Sequence, residues 1–460
     1  MKQLDTDQIV DQVLDLLKKK PIDGYEIYID QSSHFEVEAK DGEVETFQVS
    51  HPWGMAIRIL NRQRLGFSYT TSSDPTGFLE LEKRISDTIA SAEATSPDPA
   101  FDFASVLKDP PPLLPIFDET LERVPEETKI EKARLLEQAT RSVDPGRIKK
   151  VRKAAYMESL SRKRLINSNG LQFSHRSTLV SVSVTSVAEE SGESEVGWDF
   201  DYSHFFCDLD VEKVGREAGK KALERLGGKR IPTGVYPVLI RNGVASEFLS
   251  LLAHSFLAEQ VQKGKSGLKG KKGEKFFSSL LSIEDDGLHP KGTSTSPLDG
   301  EGTPSQKTTL VSHGEIAGYL YDRYWANREK LSVSGSRSES TGNSRRAGIK
   351  APPILGISNL LIRPGDVPFD SLVDKLQRGL VVEEVMGIHT VDPISGNFSL
   401  GCAGDWIEGG TKIHPVKSIA IAGNLFDLFK RVIGVGEDLR FFGGVGSPSL
   451  MVEGLEVSGD

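Results

Sequence analysis

Residues 180 to 185 alternate strictly, with valine at positions 180, 182 and 184 and serine or threonine between them. Successive side chains of a β-strand point to opposite faces, so this spacing predicts a strand with one buried face and one polar face. Short β-rich runs separated by turn signals, including Asp41-Gly42, also fill residues 25–69. The chain is therefore expected to build much of its core on sheets.

Other segments show the 3.6-residue spacing of amphipathic helices. One predicted helix begins at Asp74 and Pro75, which suit the N-cap and the first turn of a helix. The others are predicted at about 5–20, 126–142, 210–226, 243–262 and 367–378. The sequence thus predicts an α+β fold, with an N-terminal mixed α/β region followed by a β-rich C-terminal domain.

At 460 residues the chain is long enough for about two or three domains. Six prolines fall between Ser96 and Pro115, a composition typical of an extended linker or a surface crossing. The helix predicted near 210–226 stops at a pair of glycines. We predict an N-terminal α+β subdomain over 1–95, a linker over 96–115, a second α+β subdomain over 116–227 and a β-rich domain over 228–460.

Composition excludes several classes of function. A net charge of -10 argues against nucleic acid as the main ligand, because phosphate binding needs a basic surface. Two cysteines, Cys207 and Cys402, supply neither a disulfide framework nor a multi-cysteine zinc site. The chain starts without a secretory pattern and has no run of about 18 apolar residues, so we expect a cytoplasmic protein without membrane contact.

His254 lies in the helix predicted over 243–262 but has no second histidine and no glutamate at the spacing of a hydrolytic zinc site. A lone histidine on a helix is more often structural than a ligand. The functional alternative is a hydrolase with an unrecognised site around His254 and Glu259. Neither cysteine is expected to be catalytic, and no Gly-x-Ser-x-Gly elbow is present.

A lysine- and glycine-rich segment follows, with six lysines between Lys263 and Lys275. It differs from a phosphate-binding loop, because Glu259 stands where the first glycine is required and a helix, not a strand, precedes it. We expect a solvated loop. The functional alternative is a basic lip, built from Lys263, Lys265 and Lys269, that attracts acidic peptides.

Several phrases in the second half of the chain resemble the TldD/PmbA family, which is also labelled a modulator of DNA gyrase. They are DGEGTP at 299–304, GYLYDRY at 318–324, STGN at 340–343, GLVV at 379–382, SGNFS at 395–399, IAGNL at 421–425 and GVGSP at 444–448. In that family the TldD-like member holds zinc through a His-Glu-x-x-x-His helix and a C-terminal cysteine, and the PmbA or TldE member lacks both.

The resemblance implies that this chain is the member without metal. A gapless match places Leu249 and Ser250 at the first histidine and the glutamate, keeps His254 at the second histidine, and finds no cysteine in 434–448. No residue is then assigned as catalytic and no cofactor is expected in this chain, whereas zinc is expected in a TldD-like partner. The implied assembly is a heterodimeric metallopeptidase that acts on small or unfolded peptides.

Two further expectations follow from this interpretation. The phrases at 299–304 and 318–324 are expected to provide strand edges against which an extended peptide pairs. The chain alone is expected to be inactive and to form a homodimer. The alternative function is a homodimeric binding or adaptor protein without any proteolytic role.

Overall fold

The computed structural model of the protein describes residues 6–71 and 78–459. Its α-helices are α1 (Thr6–Leu17), α2 (Phe78–Glu93), α3 (Glu126–Arg141), α4 (Val211–Glu224), α5 (Asn242–Phe256), α6 (Ala258–Gln262), α7 (Arg323–Ser332), α8 (Phe369–Leu376) and α9 (Leu425–Lys430). None of these helices has the length and hydropathy that a bilayer crossing requires, within the ranges just given.

The first half of the chain forms one antiparallel sheet. Its strands are β1 (Gly24–Lys40), β2 (Glu43–Ser50), β3 (Trp53–Asn61), β4 (Arg64–Thr70), β5 (Ile148–Asn167), β6 (Gln172–Glu190) and β7 (Glu193–Ser203). They run in the order β4-β3-β1-β5-β6-β7, and β2 pairs with the second half of β1. The regions predicted as two subdomains therefore share a sheet, joined where β1 pairs with β5.

The two faces of this sheet have different neighbours. Odd-numbered side chains of β1, such as Ile27 and Val37, lie in the cores that contain α1 with α2 and α3 with α4. The even-numbered Tyr28 packs instead in a cluster with Leu298 of the second half. One face of the sheet thus carries the helices, and the other receives the C-terminal region.

The second half of the chain contains two six-stranded sheets. Its strands are β8 (Gly234–Ile240), β9 (Ile283–Asp286), β10 (Lys307–Ser312), β11 (Glu315–Ile316), β12 (Ser344–Arg345), β13 (Ile354–Leu355), β14 (Leu360–Ile362), β15 (Arg378–Met386), β16 (Asn397–Glu408), β17 (Thr411–Asn424), β18 (Val432–Val435), β19 (Arg440–Phe442), β20 (Val445–Ser447) and β21 (Leu450–Ser458). The orders are β11-β10-β9-β14-β20-β19 and β17-β16-β15-β8-β21-β18, and β17 also pairs with β21. Buried residues of both sheets and of α5 form a common core.

The predicted α+β class is confirmed, with an N-terminal α/β region and a β-rich C-terminal region. The alternation at 180–185 lies in β6, where Val180, Val182 and Val184 are buried. Asp74 and Pro75 lie outside the described residues. Helices α7 and α9 were not predicted, although Asp322 and Asn424 cap them in the way that N-cap residues do.

The helix predicted over 243–262 is interrupted at Leu257, which has extended backbone angles between α5 and α6. The reason is a tertiary contact: Leu320 donates its N–H to the carbonyl of Phe256 and accepts one from Ala258, both at 2.9 Å. A neighbouring chain segment thereby replaces one turn of helical hydrogen bonding.

The proline-rich segment 96–115 contains no helix or strand, but only part of it crosses the surface. Ala100, Phe103 and Ala104 are buried. Asp102 forms an ion pair with Arg323 of α7. Part of this segment is therefore packed between the first sheet and the C-terminal region, because its apolar residues fill their junction. The boundaries between the four predicted segments stay a prediction.

A buried ion cluster also joins the two halves. Arg58 of β3 contacts Glu26 of β1 at 2.7 Å and Glu301 of the second half at 3.3 Å, and Arg346 pairs with Glu26 as well. All four side chains are at least nine-tenths buried. The junction is therefore held partly by charges whose partners come from distant parts of the chain.

Asp322, next to this cluster, makes the stability of the folded protein depend on pH. Burial, with smaller contributions from the charges of Glu301 and Asp299, raises the pKa of Asp322 to about 7. The unfolded side chain has a pKa of about 3.9, so its stabilising contribution is complete below about pH 4 and is lost as the pH rises through 7. We therefore expect Asp322→Asn to be more stabilising, relative to the wild type, at pH 8 than at pH 5.

Urea unfolding at the two pH values measures this difference. Asparagine keeps the N-cap acceptor of α7, and Asp210→Asn is the matched control because Asp210 caps α4 from an exposed position. An effect of Asp322→Asn that is the same at both pH values would contradict the assignment.

Candidate functional site

A charged cleft among the described residues lies where the first turns of α5 face β7 and α4. Its volume is about 520 Å³, within the range of ligand pockets. The charged and polar residues that line it include Asp199, Lys221, Arg225, Arg241, Ser246, Glu247, Ser250, Glu383, Glu384, Asp405, Lys412 and Arg440. Both halves of the chain thus contribute to one cleft, which we call the α5 cleft.

Ion pairs fix most of the basic side chains of the α5 cleft. Arg225 contacts Glu384 at 2.8 Å, and Arg241 contacts Glu383 at 3.4 Å. On the opposite wall Arg440 contacts Asp199 at 2.7 Å. These pairs join the end of α4 and the start of α5 to β15, and β19 to β7, so they connect the walls of the cleft.

Glu247 is an acidic residue of the α5 cleft without such a partner. It is half-buried on α5, and among the described residues it has no hydrogen bond or ion pair. Burial, followed by the charge of Glu384, raises the pKa of Glu247. Burial likewise raises the pKa of Glu383. Carboxyl groups of raised pKa in a cleft are candidates for substrate contact or proton exchange.

The three positions that the sequence singled out do not come together. Leu249 is fully buried in the core between the two C-terminal sheets, whereas Ser250 is exposed and lines the α5 cleft. His254 follows one turn later, half-buried, and does not line the cleft. Only Ser250 therefore has access to the cleft, and position 249 faces away from it.

These residues do not fit a zinc ion. A leucine side chain has no donor atom, and a serine at position 250 cannot serve as the carboxylate base of a hydrolytic site. Across 6–71 and 78–459, no three histidine, cysteine or acidic side chains are grouped as metal ligands. Cys402 is buried, which raises the pKa of its thiol to about 12, so this thiol is not an activated nucleophile.

The lysine-rich segment is an exposed loop after α6. Lys263 pairs with Glu259 at 2.6 Å and lies over the ring of Trp325, whereas Lys265 and Lys269 are exposed and have no ion pair with any described residue. None of the three lines the α5 cleft. Their contact with peptides stays a prediction.

The prediction of free strand edges at 299–304 and 318–324 is wrong. Residues 299–302 form a turn, in which Gly302 has a positive φ of 85°. Leu320 already pairs with the chain at Leu257, and α7 begins at Arg323. Because a neighbouring segment and a helix cap use these backbone groups, an extended peptide has no free edge there.

Sequence reasoning missed most of the α5 cleft. Arg241 and Asn242 at the start of α5 and the Glu383-Glu384 pair in β15 were not identified as site residues. A possible signal was the doublet of acids directly after the buried run 380–382, since charges inside a strand of a core sheet need partners. Those partners, Arg225 and Arg241, could not be assigned without the fold.

The comparisons with known proteins agree with the architecture. The family models PmbA/TldA metallopeptidase domain 1, central domain and C-terminal domain match residues 25–96, 119–226 and 233–459. Metalloprotease PmbA of Escherichia coli O157:H7 is 28% identical over 98% of this chain and 96% of its own length. The metalloprotease TldD homolog of Haemophilus influenzae is 25% identical over 97% and 95%.

Solved structures share the fold over nearly the whole chain. A candidate modulator of a DNA gyrase from Thermotoga maritima superimposes with a TM-score of 0.88 and 26% identity, over 98% of this chain and 100% of that one. TldE from Thermococcus kodakarensis gives a TM-score of 0.87 at 22% identity, over 98% and 99%. With three consecutive domain models matched and relatives aligned end to end, the chain belongs to the PmbA/TldD family of metalloprotease-like proteins.

Proposed function

We propose that this chain is the TldE/PmbA-like subunit, without zinc of its own, of a heterodimeric metallopeptidase that acts on small or unfolded peptides. The observation that carries the proposal is the burial of Leu249 beside the exposed Ser250 on α5. The helix that would carry the metal ligands is retained, but its first ligand position belongs to the core. Zinc and the water-activating carboxylate come from the partner.

The α5 cleft suits a supporting role in this assembly. It offers paired charges and the half-buried Glu247, which can bind the charged groups of a short peptide, but the described residues that line it include no group of three metal ligands. We infer that it binds peptide and that the partner cleaves it. A cytoplasmic location and a homodimer in the absence of the partner are parts of the same proposal.

Strand β2 offers a surface for the partner. Every residue of β2 except Phe47, Val44 and Val49 is polar or small, and those three apolar side chains are 36–46% exposed. Among the described strands β2 pairs only with β1, so its outer edge is open. Because open apolar edges favour association, we propose that the TldD-like subunit covers β2.

Reconstitution tests the proposed function. The purified chain is mixed with a separately purified TldD-like protein. Cleavage of unstructured peptides is then followed with and without a chelator. We expect no cleavage by the chain alone and chelator-sensitive cleavage by the pair. Chelator-sensitive cleavage by the chain alone would contradict the proposal.

A variant of β2 tests the partner surface. Phe47→Glu places a charge on the open strand, and we expect it to weaken the complex by about tenfold or more, as the loss of an aromatic interface residue does. Ile413→Glu, at a similarly exposed apolar position of β17, is the control. Surface plasmon resonance measures the affinity of each variant for the TldD-like protein. Equal affinities would reject β2 as the contact, and failure of the wild type to bind a TldD-like protein would favour the adaptor alternative.

A further inference from the structure

A second cavity, which shares no lining residue with the α5 cleft, lies between the first sheet and the C-terminal region. It has a volume of about 220 Å³, on the order of seven water molecules at about 30 Å³ each. Its walls are the side chains of Tyr28, Lys163, Arg164, Leu165, Phe173, His175 and Ser177 from the sheet, and residues 293–296, 298–300 and 344–346 from the second half. We call it the arginine cavity.

Three consecutive residues that line this cavity, Ser344, Arg345 and Arg346, carry buried hydrogen-bond donors without partners. The Nη2 atom of Arg345, the Nη1 atom of Arg346 and the Oγ atom of Ser344 are buried, and the protein supplies none of them with an acceptor. Ser344 is fully buried and the side chain of Arg346 is 3% exposed. Leaving buried polar groups unpaired is costly, particularly when they are charged, so three such groups on consecutive residues indicate a missing acceptor.

The charges of the arginine cavity are also unbalanced. Arg345 and Lys163 have no carboxylate within 4.0 Å among residues 6–71 and 78–459. Asp299 is the acidic residue in the walls, and its oxygens already accept N–H groups from Glu301, Thr303 and Ser344. Burial lowers the pKa of Arg345, and the opposing charges of Asp285 and Asp299 offset this effect only in part.

We propose that the arginine cavity binds a small oxyanion, carried by a carboxylate or a phosphate group, through the free N–H groups of Arg345 and Arg346 and the hydroxyl of Ser344. Planar guanidinium groups match both kinds of oxyanion geometrically, and the cavity is large enough for such a group with a few further atoms. The site lies outside the α5 cleft and involves no residue of the proposed peptide contact. It adds a ligand site to the protein whether or not the proposed function holds.

Isothermal titration calorimetry of the full chain tests the site. The probes are inorganic phosphate and acetate, each against chloride at equal ionic strength. Saturable binding of phosphate but not of acetate would show that the cavity binds a phosphate group. Saturable binding of acetate, whether or not phosphate also binds, would show that the cavity accepts a carboxylate. No binding of either beyond that of chloride would overturn the proposal.

Two variants locate the binding. Ser344→Ala removes a buried hydroxyl that has no protein partner, so we expect an unfolding midpoint without anion at least as high as that of the wild type, and anion affinity weakened about tenfold. Arg345→Gln is expected to weaken it further. Arg378→Gln, at an arginine whose side chain is 70% exposed, is the control. Anion affinity that Ser344→Ala and Arg345→Gln leave unchanged would place the binding elsewhere and overturn the assignment.

The imidazole of His175 gives an independent signal. Burial and the charge of Lys163 lower the pKa of His175 to about 4, and its Nδ1 atom has no partner. A bound anion in the cavity offsets the charge of Lys163, so the histidine resonances in an NMR pH titration should shift to a higher pKa on saturation. An unchanged titration at saturating anion would contradict binding in this cavity.

Discussion

Arg58→Ala is expected to destabilise the protein by about 3–5 kcal/mol, because it leaves the buried carboxylate of Glu301 without a counter-charge and that of Glu26 with Arg346 alone. Arg58 is the only cation within 4.0 Å of Glu301 among the described residues, and it also pairs with Glu26. Both acids are at least nine-tenths buried. Neither can gain solvent unless the junction between the two halves opens.

Chemical denaturation monitored by tryptophan fluorescence measures this loss. Arg216→Ala is the control, since Arg216 forms an exposed pair with Glu212, and such pairs contribute about 0–1 kcal/mol. A loss no larger than that of the control would show that the buried cluster does not hold the halves together. The ion pairs of Arg58 with Glu26 and Glu301 join β1 and β3 to the second half of the chain. We therefore also expect the unfolding transition of Arg58→Ala to be less cooperative than that of the wild type.

Leu249→His is expected to destabilise the protein by about 3 kcal/mol or more, since it replaces a packed hydrocarbon with a polar ring in the core. Leu249 is 0% exposed and belongs to the core shared by both C-terminal sheets. Rebuilding a His-Glu-x-x-x-His pattern with Leu249→His and Ser250→Glu should therefore produce an unstable chain rather than a zinc site.

Single variants separate packing from the motif. Leu249→Met conserves volume and should cost less than about 1.5 kcal/mol, and Ser250→Glu, at an exposed position, should stay within about 0.5 kcal/mol. Unfolding midpoints of the three variants give the comparison. If Leu249→His were as stable as Leu249→Met, position 249 could turn toward the cleft and the argument from burial would fail.

The fold class and much of the family assignment could be predicted from local patterns. The alternation at 180–185 identified part of β6, and helical spacing identified α3, α4 and α8 within a few residues. These signals are local because each depends on which face of one element is buried. The break at Leu257 could not be predicted this way, because its cause is Leu320, which lies 63 residues further along the chain.

The α5 cleft and the arginine cavity escaped prediction for the same reason. Arg225 forms its ion pair with Glu384, and Arg346 forms its ion pair with Glu26, only after the two halves have packed together. Each of these residues is unremarkable in its own segment, where a charge usually indicates solvent exposure. The positions 249, 250 and 254 could be named from the resemblance, but their orientations required the fold.

The most direct test of the central claim is the zinc content of the purified chain, measured by inductively coupled plasma mass spectrometry after equilibration with zinc and removal of free metal. The proposed non-metal role predicts far less than one zinc per chain, with no change in His254→Ala, because Leu249 and Ser250 supply no ligands. One zinc per chain that is lost in His254→Ala would contradict the account.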